Sequence, residues 1–157
     1  KEGNPEAIHF PRPFKGTKTL DFSFSGLKTS LVYYLRKNPD PDDERLRDIC
    51  ACYQEAIAET LTEKTLLAAK ESGVGSVVIA GGVACNSRLR ALAKERFGEE
   101  GITLRIPSPA LCTDNAAMIG ALGAAKLRQG ETSGLSINPY STSRPRYLRG
   151  KGMVSGL

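Results

Sequence analysis

The chain has 157 residues, with 22 Lys and Arg against 17 Asp and Glu, one His, four Cys and no Trp. At 40% hydrophobic and 25% charged, it has the composition of a soluble globular protein, which excludes a disordered chain, a collagen-like repeat and a disulfide-dense miniprotein. No apolar run approaches the roughly 20 residues of a membrane span, no leader opens the chain, and a first residue of Lys1 rather than Met points to a processed or excised piece.

Residues 1–18 hold Gly3, Pro5, Pro11, Pro13 and Gly16 and predict an irregular lead-in. Thr19–Phe24 alternates through Leu20, Phe22 and Phe24, the pattern of a short strand. Ser25 is placed to cap a helix over Gly26–Lys37, whose Leu27, Leu31, Val32 and Leu35 follow helical spacing. Asn38-Pro39-Asp40-Pro41 stops it, because proline removes a donor and forbids helical geometry before it. A long helix is expected over Asp43–Ser72, with Ile49, Cys52, Tyr53, Ala56, Ile57, Thr60, Leu61, Leu67 and Ala68 on one stripe, an acidic first turn and Gly73 as its stop.

Ser76–Ala80 has no polar alternation and reads as a strand buried on both faces, as in a parallel sheet covered by helices. Gly81-Gly82-Val83 leads into a helix over Asn86–Phe97, with Leu89, Leu92, Ala93 and Phe97 inward. Ile102–Ile106 is a second strand and Pro107-Ser108-Pro109 a turn. A last helix, Thr113–Gln129, is rich in Ala and Gly, which lets a neighbour approach closely. Residues 130–157 lack periodicity. The alternation of helices and strands gives an α/β fold in a single domain spanning 1–157.

Charge is uneven. Residues 41–75 carry eight acids and four bases, a balance of −4, so the remainder carries +9 of the net +5. Arg144, Arg146, Arg149 and Lys151 in the tail meet no acid there. Such a run can hold nucleic-acid phosphates, although four charges also suit a solvated terminus. Cys50, Cys52, Cys85 and Cys112 lack zinc spacing, Cys50 and Cys52 would point about 200° apart on a helix, and unpatterned thiols fit a reducing, cytoplasmic setting. His9 alone fills one coordination position at most.

Three strings could carry chemistry. In Val77–Arg90 a strand runs through Gly81 and Gly82 into a helix start, where glycine admits a ligand close to the backbone and free amides favour anions. The string is neither a Rossmann fingerprint nor a P-loop. Asn86 can meet a ribose or phosphate, or simply cap the helix. In Cys112–Gly120, Asp114 stands at a helix start, either as a cap or as a carboxylate metal ligand; one carboxylate does not make a metal site. In Asp21–Thr29, Lys28 could meet a phosphate or be a solvated helix residue.

With Phe10-Pro11-Arg12-Pro13, these ordered strings resemble the C-terminal half of the tRNA adenosine threonylcarbamoyltransferase family, whose older label is O-sialoglycoprotein endopeptidase. The resemblance runs from residue 10 to about 127. It implies one lobe of the actin/Hsp70/sugar-kinase ATPase (ribonuclease H-like) fold. It also implies transfer of threonylcarbamoyl from threonylcarbamoyl-adenylate to the exocyclic amine of the tRNA adenosine adjacent to the anticodon. By matching position it assigns Gly81, Gly82 and Asn86 to an adenine nucleotide or the adenylate, and Asp114 to one divalent metal ion, iron or zinc, shared with an N-terminal lobe. The family's H-x-x-x-H ligands and Ser-Gly-Gly segment do not occur in this sequence, so the resemblance implies a C-terminal lobe inactive by itself. The partners implied are tRNA, the N-terminal lobe, a paralogous subunit and an ATPase, with no membrane. Two rival functions are a non-enzymatic docking or tRNA-carrying module and the metalloprotease of the older label, for which no His pair is present.

Overall fold

The computed structural model describes residues 2–137; the basic run Arg144–Lys151 lies outside them. The chain divides into two compact units, Lys1–Thr113 and Asp114–Leu157.

In the first unit α1 (Ser25–Lys37) is followed by α2 (Asp43–Glu71), β1 (Ser76–Val78), a 3-10 turn (Gly82–Cys85), α3 (Ser87–Glu99), β2 (Thr103–Arg105) and the single-turn α4 (Pro109–Cys112). The two strands pair in parallel, Ser76 against Thr103 and Val78 against Arg105. Helices alternate with parallel strands, so the α/β expectation holds in its coarse form: mostly helix with a small parallel sheet.

Helix α2 is the spine of this unit. At 29 residues it runs about 43 Å. The Asp42 side chain accepts the Arg45 N–H at 2.7 Å and closes its free N-terminus. Its far end closes as expected: Gly73 takes φ +63°, its N–H reaches Lys70, and the Val74 N–H reaches Ala69. Three apolar clusters line the helix. Ile49, Cys52 and Ala56 pack with Ile8, Phe10 and Leu27; Ala58 packs with Leu89 and Leu92; Ala69 packs with Ala93 and Phe97.

The lead-in has no helix or strand, yet it is not a tether. Ile8 and Phe10 are buried, and Phe10 meets Tyr34 and Tyr53 edge-on at 5.9 and 5.6 Å. Gly3 lies so close to the Arg47 carbonyl that a β-carbon would not fit. The Ile8 N–H donates to Cys52 Sγ at 3.2 Å, and that thiol donates to the Asn4 carbonyl at 3.1 Å. Cys50, two residues away, is exposed, as their angular separation requires.

Four expectations need correction. Thr19–Phe24 is not a strand: no strand pairs with it among the described residues, Leu20 and Phe22 are exposed, and the buried Lys64 amine takes the Thr17 and Thr19 carbonyls at 3.0 and 2.7 Å. Ser25 does not cap α1 but is its first residue, and Phe24 at the cap position supplies no side-chain bond. β1 is not buried on both faces. Val77 and Ile79 turn toward Phe97, while Val78 stays 64% exposed because only one face meets a helix. Finally, Asp114 does not cap the last helix.

In the second unit that helix is α5 (Ala116–Arg128), and Asn115 caps it, accepting the Met118 N–H at 2.9 Å. None of its residues is buried. Lys126 pairs with Glu131 at 2.6 Å beyond its end. No helix among the described residues is long and apolar enough to cross a membrane.

Candidate functional site

Parallel strands put their carboxyl ends on one side, which is where α/β folds leave a crevice for ligands. Here β1 runs out into Gly81 and β2 into the Pro107 turn. Gly81 adopts φ +92° and ψ 170°, a region essentially closed to residues with a β-carbon. The chain then tightens into the 3-10 turn, with the Ala84 N–H on the Gly81 carbonyl at 2.9 Å and the Asn86 N–H on the Val83 carbonyl at 3.0 Å. A β-carbon on Gly81 or Gly82 would meet nothing within 4 Å. Crowding therefore does not demand the second glycine, and the backbone is open to approach from outside.

Asn86 ends the turn and caps α3. Its Oδ1 accepts the Leu89 N–H at 3.0 Å, and its Nδ2 donates to Gln54 Oε1 of α2 at 2.9 Å. Tyr53, Gln54 and Ile57 of α2 face Val83, Asn86 and Leu89 across a groove of about 350 Å³. The groove is mainly apolar with two amides at its wall, the balance of a small-molecule site.

Two arginines brace this region. Arg90 donates to the Ala84 carbonyl at 2.8 Å and the Pro107 carbonyl at 2.7 Å, tying the glycine turn to the turn after β2; its Nη1 also lies 3.9 Å from Cys112 Sγ. Arg88 forms a two-pronged pair with Glu55 at 2.6 and 2.7 Å. Glu55 is only 9% exposed. The Arg88 hydrogen bonds hold its carboxyl below the ordinary value of 4.5 against the opposing effect of burial, and the same bonds raise the Arg88 guanidinium.

A second cleft, of about 560 Å³, lies between the lead-in and α2, and its Arg12, Lys15, Glu55 and Glu59 are all engaged in ion pairs. Arg12 takes Glu59 at 2.7 Å, and Lys15 reaches Glu59 and Glu63 at 3.8 and 3.7 Å. His9 and Lys28 are exposed.

Of the residues singled out from the sequence, Gly81, Gly82 and Asn86 thus stand together at one turn. Asp114 belongs to the other compact unit. Among the described residues no three His, Cys, Asp or Glu side chains gather to hold a metal. A metal ion therefore does not fit the described residues by themselves. Gln54, Glu55 and Arg90 escaped the sequence reading as site residues. The signal for the first two was a polar pair set between Tyr53 and Ala56 on the apolar stripe of α2.

Comparison with known proteins gives a consistent result. Residues 1–121 match the family model described as tRNA N6-adenosine threonylcarbamoyltransferase. Relatives carrying that name occur in Syntrophus aciditrophicus (53% identical over 142 residues), Syntrophotalea carbinolica (50% over 141) and Geobacter metallireducens (48% over 151). These alignments take in 90%, 89% and 92% of this chain and 41%, 41% and 44% of the relatives. The chain thus spans about two fifths of the length of the curated relatives it matches.

Proposed function

The chain belongs to the tRNA N6-adenosine threonylcarbamoyltransferase family, and from that premise we propose that it forms one lobe of an enzyme that modifies the adenosine beside the anticodon of tRNA. In this reading 1–157 is a single C-terminal lobe of an actin/Hsp70-like fold, working in the cytoplasm with an N-terminal lobe, a paralogous subunit and an ATPase. The parallel β1–β2 pair, packed on one face against α2 and α3, is compatible with that fold.

The adenylate of the threonylcarbamoyl donor occupies the groove between α2 and the glycine turn. Its base lies on the apolar wall, and its ribose and phosphate meet Asn86 and the open backbone at Gly81 and Gly82. The observation that carries this reading is the groove itself: an apolar slot with an amide-bearing wall, bounded by α2 and by Val83 and Asn86 of the turn that follows Gly81 and Gly82. The reaction is acyl transfer. The adenosine amine bonds to the carbamoyl carbon and loses a proton, the bond from that carbon to the phosphate oxygen breaks, and AMP leaves. The lobe's share is to hold the leaving nucleotide in register. Asp114 would supply a single carboxylate to a divalent metal ion whose other ligands come from the N-terminal lobe.

Two experiments test the proposal. Isothermal titration with AMP of the polypeptide that carries this chain should detect binding, weakened by Asn86→Ala; absence of any binding refutes the nucleotide reading. Incubation of the 157-residue chain alone with threonylcarbamoyl-adenylate and tRNA should leave the tRNA unmodified, and transfer by this chain would refute its inactivity as a single lobe.

A further inference from the structure

An asparagine amide has nearly the same shape either way round, so a site that uses one must fix which end faces the ligand. Here the fixed point is a backbone donor. The Leu89 N–H can only donate, so the atom of Asn86 that meets it at 3.0 Å is the oxygen. The NH2 group is then the end turned to α2, and the atom of Gln54 that meets it at 2.9 Å is an acceptor, Oε1. The sequence separation of 32 residues between the two amides makes this a tertiary contact between α2 and α3. Both residues line the 350 Å³ groove.

We propose that Gln54 is a positioning residue for the ligand of this groove: by accepting one N–H of Asn86 it locks that side chain and leaves a single N–H for the ligand. The inference rests on the nucleotide reading above and sharpens it. With its oxygen turned to the helix and one N–H on Gln54, Asn86 has one N–H left to offer a ligand. The ligand atom that meets this N–H is therefore an acceptor, a phosphate oxygen or a ribose hydroxyl lone pair. Without Gln54 the amide can still cap α3, but its NH2 is no longer held toward one direction.

A double-mutant cycle on the polypeptide that carries this chain, titrated with AMP, tests the assignment. Asn86→Ser keeps a capping oxygen and removes the NH2, and Gln54→Leu keeps the bulk and removes the acceptor. Each should raise the Kd for AMP about tenfold. The double variant should bind no more than about twofold worse than Asn86→Ser, because Gln54 acts only through Asn86. Wild-type affinity in Gln54→Leu, or losses that simply multiply, overturns the role of Gln54 while leaving the nucleotide site intact. Failure of the wild type to bind AMP removes both. Should Gln54→Leu not fold, side-chain NMR of the wild type decides: the two Asn86 amide protons should differ in exchange with water, one protected and one free, and equal rapid exchange overturns the proposal.

Discussion

Gly81 and Glu55 show how much one residue can settle. At φ +92° and ψ 170°, Gly81 occupies backbone space that an alanine enters at a cost of about 1–3 kcal/mol. Since nothing stands within 4 Å of the added β-carbon, that cost is conformational rather than steric. Gly81→Ala should lower the unfolding free energy measured by urea denaturation by an amount in this range, whereas Gly82→Ala should leave it within about 1 kcal/mol. Glu55 makes a different prediction. Its folded pKa lies below the ordinary 4.5 because Arg88 binds the carboxylate, so its contribution is complete above the unfolded value and is lost as pH falls through the folded one. Glu55→Gln should cost about 2 kcal/mol at neutral pH and flatten the fall in stability as pH drops below the ordinary carboxylate range. Denaturation at stepped pH measures both. The two glycines and Asn86 were legible in the sequence because a strand, a glycine pair and a capping residue are all local signals. Gln54 and Arg88 act across 32 and 33 residues of separation, and no periodicity records a partner so far away.

Helices were easier to read than strands, for a physical reason. The stripes of α2 and α3 follow from a 3.6-residue repeat that survives any tertiary context, and Leu89, Leu92, Ala93 and Phe97 are all buried as expected. Strand burial depends instead on what lies above and below. β1 looks apolar throughout, yet its outward face is exposed; Thr19–Phe24 alternates, yet no strand borders it among the described residues. What holds the chain just ahead of that stretch is Lys64. Its amine, on a residue 4% exposed, takes two backbone carbonyls and the Thr17 hydroxyl, the last at 3.2 Å. Lys64→Met keeps the apolar stem and removes the three bonds. It should destabilise the unit by about 1–3 kcal/mol and speed tryptic cleavage at Lys15 and Lys18, both exposed. Unchanged cleavage would mean that the segment is held by other contacts. The cap of α5 teaches the same lesson at one residue's resolution: Asp114 and Asn115 are both good caps by type, and only the backbone shows that Asn115 takes the role.

Across the chain, burial is distributed unequally, and motion should follow it. α2 and α3 share clusters whose central residues are almost wholly excluded from solvent, whereas no residue of α5 is buried. Amide exchange should therefore be slowest in the middle of α2 and fastest among the helices in α5; comparable protection in both would contradict this ordering. Family membership was legible from the ordered strings alone, whereas the irregular lead-in concealed Ile8 and Phe10, which no helical or strand period marks as core. One consequence of the spine remains. All three clusters are built on α2, and two of them also share α3, so none can come apart while its neighbours keep their footing. Warming should empty them together, in a single calorimetric step whose van 't Hoff and measured enthalpies agree for the unit Lys1–Thr113. A rod that makes separate cores melt in concert also gives the groove beside Gln54 the rigidity of the whole unit, rather than that of its own few contacts.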